Sequence, residues 1–236
     1  MQERDQVATE QRETLSDETP QEKETGRIEA FSDGIFAVAI TLLVLNIQVP
    51  HGPNGAMLAE SALGPALLSQ WPVYLAFLTS FATIGIMWLN HHRLFNYIKS
   101  SNSSLIGLNL LLLLFIVLTP FPTALLADYL QIETPPGLHI PTILYSGFFV
   151  LLAISFNLLW RYAAAHNRLL DKKADPEQVR AITRQYSVGP LLYLIAFGLA
   201  FLYPPLSIIW NLLLAIFFAL PGEVILRLLA LRRRKI

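Results

Sequence analysis

Apolar residues in this chain come in blocks about 20 residues long, and no other feature constrains its fold so tightly. The blocks fall at roughly 31–49, 71–95, 105–127, 140–165, 187–203 and 205–230. About 20 residues of helix rise about 30 Å, the thickness of a hydrocarbon layer. The third block contains LIGLNLLLLLFIVL, without a charged residue. Six wholly apolar helices in a water-soluble bundle would leave too much apolar surface facing solvent. The expected fold class is therefore all-α: a polytopic membrane protein with six transmembrane helices.

Charge sets the expected orientation. Of the 17 Lys and Arg residues, four precede the first block, Arg93 and Lys99 follow the second, six lie from Arg161 to Arg184, and five lie from Arg227 to Lys235. The intervening loops at 50–70, 128–139 and 203–205 carry none. Six spans place every basic residue on one side, and the positive-inside rule then puts both termini in the cytoplasm. A five-span chain would carry one basic cluster across the membrane. Residues 1–26 are polar and acid-rich and are expected to form a disordered cytoplasmic tail, because they bury too little surface to offset ordering. They lack the apolar core of a signal peptide. The six-helix unit spans 27–230, and 231–236 form a basic cytoplasmic end that favours anionic lipid.

Local signals place the helix ends. The first helix is expected from Ala30 to Val49, stopping at Pro50. Gly64-Pro65 and Trp71-Pro72 mark the start of the second. The segment SNSS, 101–104, caps the third, which TPFPT bends or ends through Pro120 and Pro122. Asp175-Pro176 breaks the chain and starts a short helix into the fifth span. Tyr203-Pro204-Pro205 forms a tight hairpin.

Within the first helix, Phe31, Gly34, Val38, Thr41, Leu45 and Gln48 share one face. The same spacing is a heptad seam, so the stripe reads equally as a plain packing interface. Thr41 lies near mid-depth, with apolar Val38 and Leu45 one turn to either side. Copies of this helix around an axis would form two apolar rings flanking a ring of hydroxyls, an arrangement that gates by dewetting and lends oxygens to a cation. The alternative for Thr41 is a hydroxyl bonded to the Ala37 carbonyl.

Asp33 faces away from that stripe, towards neighbouring helices. Its partners are sought among Arg27, Trp88, His91, His92 and Asn109. Such a cluster either pins three helices together or relays a proton or ion. No catalytic site is expected: G-x-S-x-G and H-E-x-x-H are missing. No metal site is expected either, since the chain has no cysteine and adjacent His91 and His92 are a poor chelating pair. Glu223 is placed to pair with Arg227 four residues on. No cofactor and no nucleic-acid partner are expected. A secondary transporter or proton-conducting protein is the competing class, although no charged residue lies at mid-depth to form its binding site.

The segments RIEAFSDGIFAVAITLLVL, WLNHHRLF and NLLLLLFIVLTPFPT resemble the endolysosomal potassium channel family known as transmembrane protein 175, and in particular its bacterial homologues. Arg27, Phe31, Ser32 and Asp33 match the R-x-x-x-F-S-D signature. The resemblance implies a potassium-permeable channel in the cell membrane, with potassium ions as permeant species, that assembles as a homotetramer in the lipid bilayer. It implies a pore lined by the first helix with constrictions at Val38, Thr41 and Leu45, Val38 being smaller than the Leu or Ile more usual there. It also implies a polar network of Arg27, Ser32, Asp33, Trp88, His91 and Asn109. Weak selectivity for potassium over sodium would follow from a neck whose only ligands are the threonine hydroxyls.

Overall fold

A computed structural model of the protein describes residues 20–52, 55–132, 138–165 and 169–219. These form helices α1 (Pro20–Leu42), α2 (Glu60–Ser69), α3 (Trp71–Tyr97), α4 (Ser103–Leu118), α5 (Pro120–Ile132), α6 (His139–Ala164), α7 (Pro176–Leu202) and α8 (Pro204–Ala219). Five segments are long and apolar enough to cross a membrane: Glu24–Asn46, Trp71–Tyr97, Ser103–Leu130, His139–Ala164 and Pro176–Leu202. Helix α8 is apolar but shorter, and the rest of the expected sixth span lies outside the described residues, with the Glu223–Arg227 pair, the basic end and most of the acidic tail.

The first helix is displaced from its expected limits at both ends. It begins at Pro20, because Gln, Glu and Lys are good helix formers and extending an existing helix costs no new nucleus. Its α-form stops at Leu42, seven residues short of Val49. Residues Leu43–Asn46 tighten into a 3-10 turn and Ile47 turns extended, with Ile47 N–H on the Val44 carbonyl at 3.0 Å. Pro50 disfavours the α region at Val49, and β-branched Val44, Ile47 and Val49 lower the helix propensity of the segment before it.

The segment 50–70, read as loop, contains α2. Gly64 and Pro65 sit inside that helix and do not open the next one. A helix of ten residues is too short to register as an apolar block. Asn102, in the expected SNSS segment, caps α4 by accepting from the Leu105 N–H at 2.9 Å. Pro120 does not end the third span: Thr119 keeps helical backbone angles, its hydroxyl donates to the Phe115 carbonyl at 2.9 Å, and α5 continues from Pro120. Asp175 caps α7 by accepting from the Glu177 N–H. No separate short helix follows. The whole segment to Leu202 is one helix of 27 residues, because nothing between Pro176 and Pro190 interrupts it. Tyr203 alone links α7 to α8.

The core lies where α1, α3, α4, α6 and α7 meet. Phe36, Ile84, Leu112, Ile116 and Trp160 are essentially inaccessible. The links α3–α4 and α6–α7 are clasped at one end of the bundle. Ile98 bridges Leu170, and Asp171 N–H donates to the Tyr97 carbonyl at 2.8 Å. That clasp fixes α3, and hence the partners of α1, against the α6–α7 pair.

Candidate functional site

Helix α1 buries one face only. Ser32, Phe36, Ala39 and Leu43 recur at intervals of three and four residues and are all buried, against α3 and α4. At about 3.6 residues per turn the stripe of Phe31, Gly34, Val38 and Thr41 lies on the opposite side. It is open: Phe31 and Val38 are each 54% exposed and Leu45 is 69% exposed, with Gly34, Thr41 and Gln48 exposed beside them. The subunit therefore holds this helix by its back and leaves the stripe without a packing partner among the described residues.

Thr41 Oγ1 donates to the Val38 carbonyl at 3.0 Å, three residues back, and not to Ala37, the alternative partner. The helix is already tightening towards the 3-10 turn, which brings the i−3 carbonyl closer. With its hydrogen spent inward, the hydroxyl keeps its lone pairs for acceptance. Leu45 sits in the 3-10 turn, so its place on the stripe follows from exposure rather than from an α-helical wheel.

Behind the stripe, the expected polar network resolves into two. Ser32 and Asp33 are neighbours in sequence, about 100° apart on the helix, and cannot face the same way. Ser32 turns into the core. Its hydroxyl donates to the Ile28 carbonyl at 2.8 Å and accepts from Asn109 Nδ2 at 2.9 Å. Asn109 Oδ1 meets His91 Nε2 at 2.9 Å. Because the amide nitrogen donates to Ser32, its oxygen must accept, and His91 carries its proton on Nε2. Ser32, His91 and Asn109 are all at most 1% exposed. The His91 ring stacks on Phe95 at 4.4 Å and meets the edge of Phe36 at 5.4 Å, while its Nδ1 is buried without a hydrogen-bond partner.

Asp33 forms the second, more open group. Trp88 Nε1 donates to Asp33 Oδ1 at 2.8 Å. The Trp88 indole stacks on His92, centroids 5.8 Å apart, and His92 Nδ1 lies 3.0 Å from Glu29 Oε1. Glu29 is the member that sequence reasoning missed. Its position four residues before Asp33 puts it on the same side of α1, which is the signal that would have found it. Arg27 is exposed and forms no ion pair with Asp33; the structure does not bring it into either group. Phe31 lies on the open stripe and also stands apart from both.

A family model described as endosomal/lysosomal potassium channel TMEM175 matches residues 27–120, from Arg27 through α4 to Pro120. A potassium channel of Chamaesiphon minutus is 51% identical over 203 residues, covering 86% of this chain and 97% of that one. The chain belongs to the TMEM175 family. A second relative, a potassium channel of Streptomyces collinus, is 42% identical over 197 residues, covering 83% of this chain and 91% of its own. The crystal structure of a lysosomal potassium-selective channel TMEM175 homolog from Chamaesiphon minutus superposes with a TM-score of 0.71 at 47% identity, over 85% of this chain and 98% of that one.

Proposed function

We propose that this chain is a potassium channel whose pore is lined by α1, with several copies donating the stripe Phe31–Gly34–Val38–Thr41–Leu45 to a shared axis. The observation that carries this reading is the unpartnered stripe itself, diametrically opposite the face by which α1 is anchored. Among the described residues nothing closes over that stripe, so the reading requires a closed ring of copies for conduction. Four copies, as in the family's bacterial members by resemblance, give four Thr41 hydroxyls at one level. Membership of TMEM175 and the potassium-channel relatives support the permeant ion; the basic-residue distribution supports cytoplasmic termini in the cell membrane.

The mechanism follows from the side chains. Val38 and Leu45 make apolar necks, which pass ions only when wide enough to stay wet. A cation crossing them keeps most of its water and takes oxygens from Thr41 in exchange for part of it. Potassium sheds water at lower cost than sodium, so a neck with few ligands favours potassium modestly. Thr41→Ala, measured in reconstituted bilayers, is expected to lower the potassium-to-sodium permeability ratio; an unchanged ratio would refute the hydroxyl ring. Liposome flux separates the competing transporter class, since channel flux scales with electrical driving force whereas a transporter saturates.

A further inference from the structure

The pore reading leaves unused a hollow of mixed lining, in which Val73, Phe77 and Pro120 stand beside polar side chains. It lies directly behind the stripe, where the 3-10 turn ending α1 meets α3 and α5. Asn46 and Gln48 contribute to one wall, Ser80 to the second, Ala124 and Asp128 to the third, around a volume of about 160 Å³. Asn46 of this wall follows Leu45 directly in the chain, so the hollow adjoins the proposed conduction path.

Its chemistry selects for positive charge. Among the described residues, Asp128 is the one formally charged member of the lining, and no Lys, Arg or His joins it there. It is exposed and makes no ion pair among the described residues. Ser80, only 3% exposed, adds a hydroxyl from within the bundle. Leu43 and Asn46 of the turn that ends α1 also line the hollow, and the C-terminal end of a helix carries the negative end of its dipole. At about 30 Å³ per water, there is room for about five waters. That is far looser than the cage of several carboxylate and carbonyl oxygens at about 2.3–2.6 Å that a bare divalent ion needs. One carboxylate among neutral oxygens in a roomy, wet hollow suits a monovalent ion that keeps its hydration shell.

We infer that this hollow is an off-axis holding site for a hydrated monovalent cation, potassium in the working channel, which feeds the neck at Leu45. Its role in conduction rests on the pore reading; its binding of the ion does not. The test uses the full-length chain in two readouts. In crystals soaked with thallium, anomalous scattering appears in the hollow of the native protein and is lost in Asp128→Asn; its absence from the native hollow would overturn the site whether or not the protein conducts. In bilayers, Asp128→Asn lowers single-channel conductance about two- to fivefold in about 10 mM potassium chloride, and the difference closes near 1 M, where the Debye length is about 3 Å. Ala124→Leu, which fills the hollow and keeps the carboxylate, lowers it likewise, whereas Glu60→Gln, an exposed acid outside the lining, does not. A loss in Asp128→Asn with native conductance in Ala124→Leu would reduce the effect to general surface charge and overturn the site. Native protein that passes no potassium, with thallium bound in the hollow, would overturn the pore reading and uphold the site.

Discussion

Asn109 donates from Nδ2 to Ser32 Oγ across 2.9 Å, tying α4 to the back of α1 with both side chains buried. The bond orders a chain of donors: His91 Nε2–H to Asn109, Asn109 to Ser32, Ser32 to the Ile28 carbonyl. Every link points the same way, towards the backbone of α1. The chain thus sets the rotation of the helix whose opposite face is the proposed pore wall.

Breaking that chain is expected to cost stability. Asn109→Leu strands the His91 and Ser32 polar atoms in the core, and leaving one buried partner unsatisfied costs about 1–3 kcal/mol. Ser32→Ala removes the acceptor for Asn109 and is expected to cost about 1 kcal/mol. Thermal unfolding in detergent checks both. A native melting temperature in Asn109→Leu would show that the chain does not hold α1.

Trp88→Phe keeps most of the ring over His92 but removes the Nε1 donor to Asp33. Hydrogen bonds to charged groups contribute about 1.5–3 kcal/mol when buried; this one is partly open, so a loss nearer 1 kcal/mol is expected. Because Asp33 lies beside the pore face and not on it, open probability is expected to change while the potassium-to-sodium ratio stays native. A shifted ratio with native open probability would contradict that division.

Glu29→Gln tests the outermost pair. Glu29 and His92 lie 3.0 Å apart, with His92 nearly half exposed, and exposed ion pairs contribute about 0–1 kcal/mol. A change in unfolding free energy under about 0.5 kcal/mol is expected. A loss above about 2 kcal/mol would place this pair among the main ties of α1.

Much of this was legible in the sequence because a membrane helix announces itself by length and composition. Those signals located five spans, the SNSS segment whose Asn102 caps α4, and the Tyr203 hairpin; Asp175-Pro176 was read as opening a short helix, not as the cap of a helix of 27 residues. They did not locate the ends of α1. Its N-terminal extension to Pro20 depends on the anchored helix it continues, and its tightening after Leu42 carries no signal of its own in the sequence. Helix α2 was missed because ten residues fall below the length that marks a span. The stripe was readable from spacing alone, since Phe31, Val38 and Thr41 repeat at helical intervals; whether anything packs on it was not. The polar network was readable as a set of residues but not as a wiring. Adjacent Ser32 and Asp33 must diverge, Glu29 joins through His92, and Arg27 stays outside; only the placement of α3 and α4 decides those pairings.

Val38 offers a direct test of the neck. If the ring it forms limits ion passage by excluding water, Val38→Asn wets it and raises single-channel conductance. Unchanged currents in that variant would mean that the barrier lies elsewhere.

The central claim, that α1 supplies the wall of a shared aqueous pore, is tested most directly by cysteine accessibility, because the native chain contains no cysteine. Single cysteines at Val38, Thr41 and Leu45, and at Leu212 on the open face of α8 as a control, are treated with a charged, water-soluble thiol reagent while potassium current is recorded. Block at the three α1 positions with no effect at Leu212 is the expected result. Full current through all three treated α1 variants, with each thiol shown by mass to be unmodified, would contradict the account.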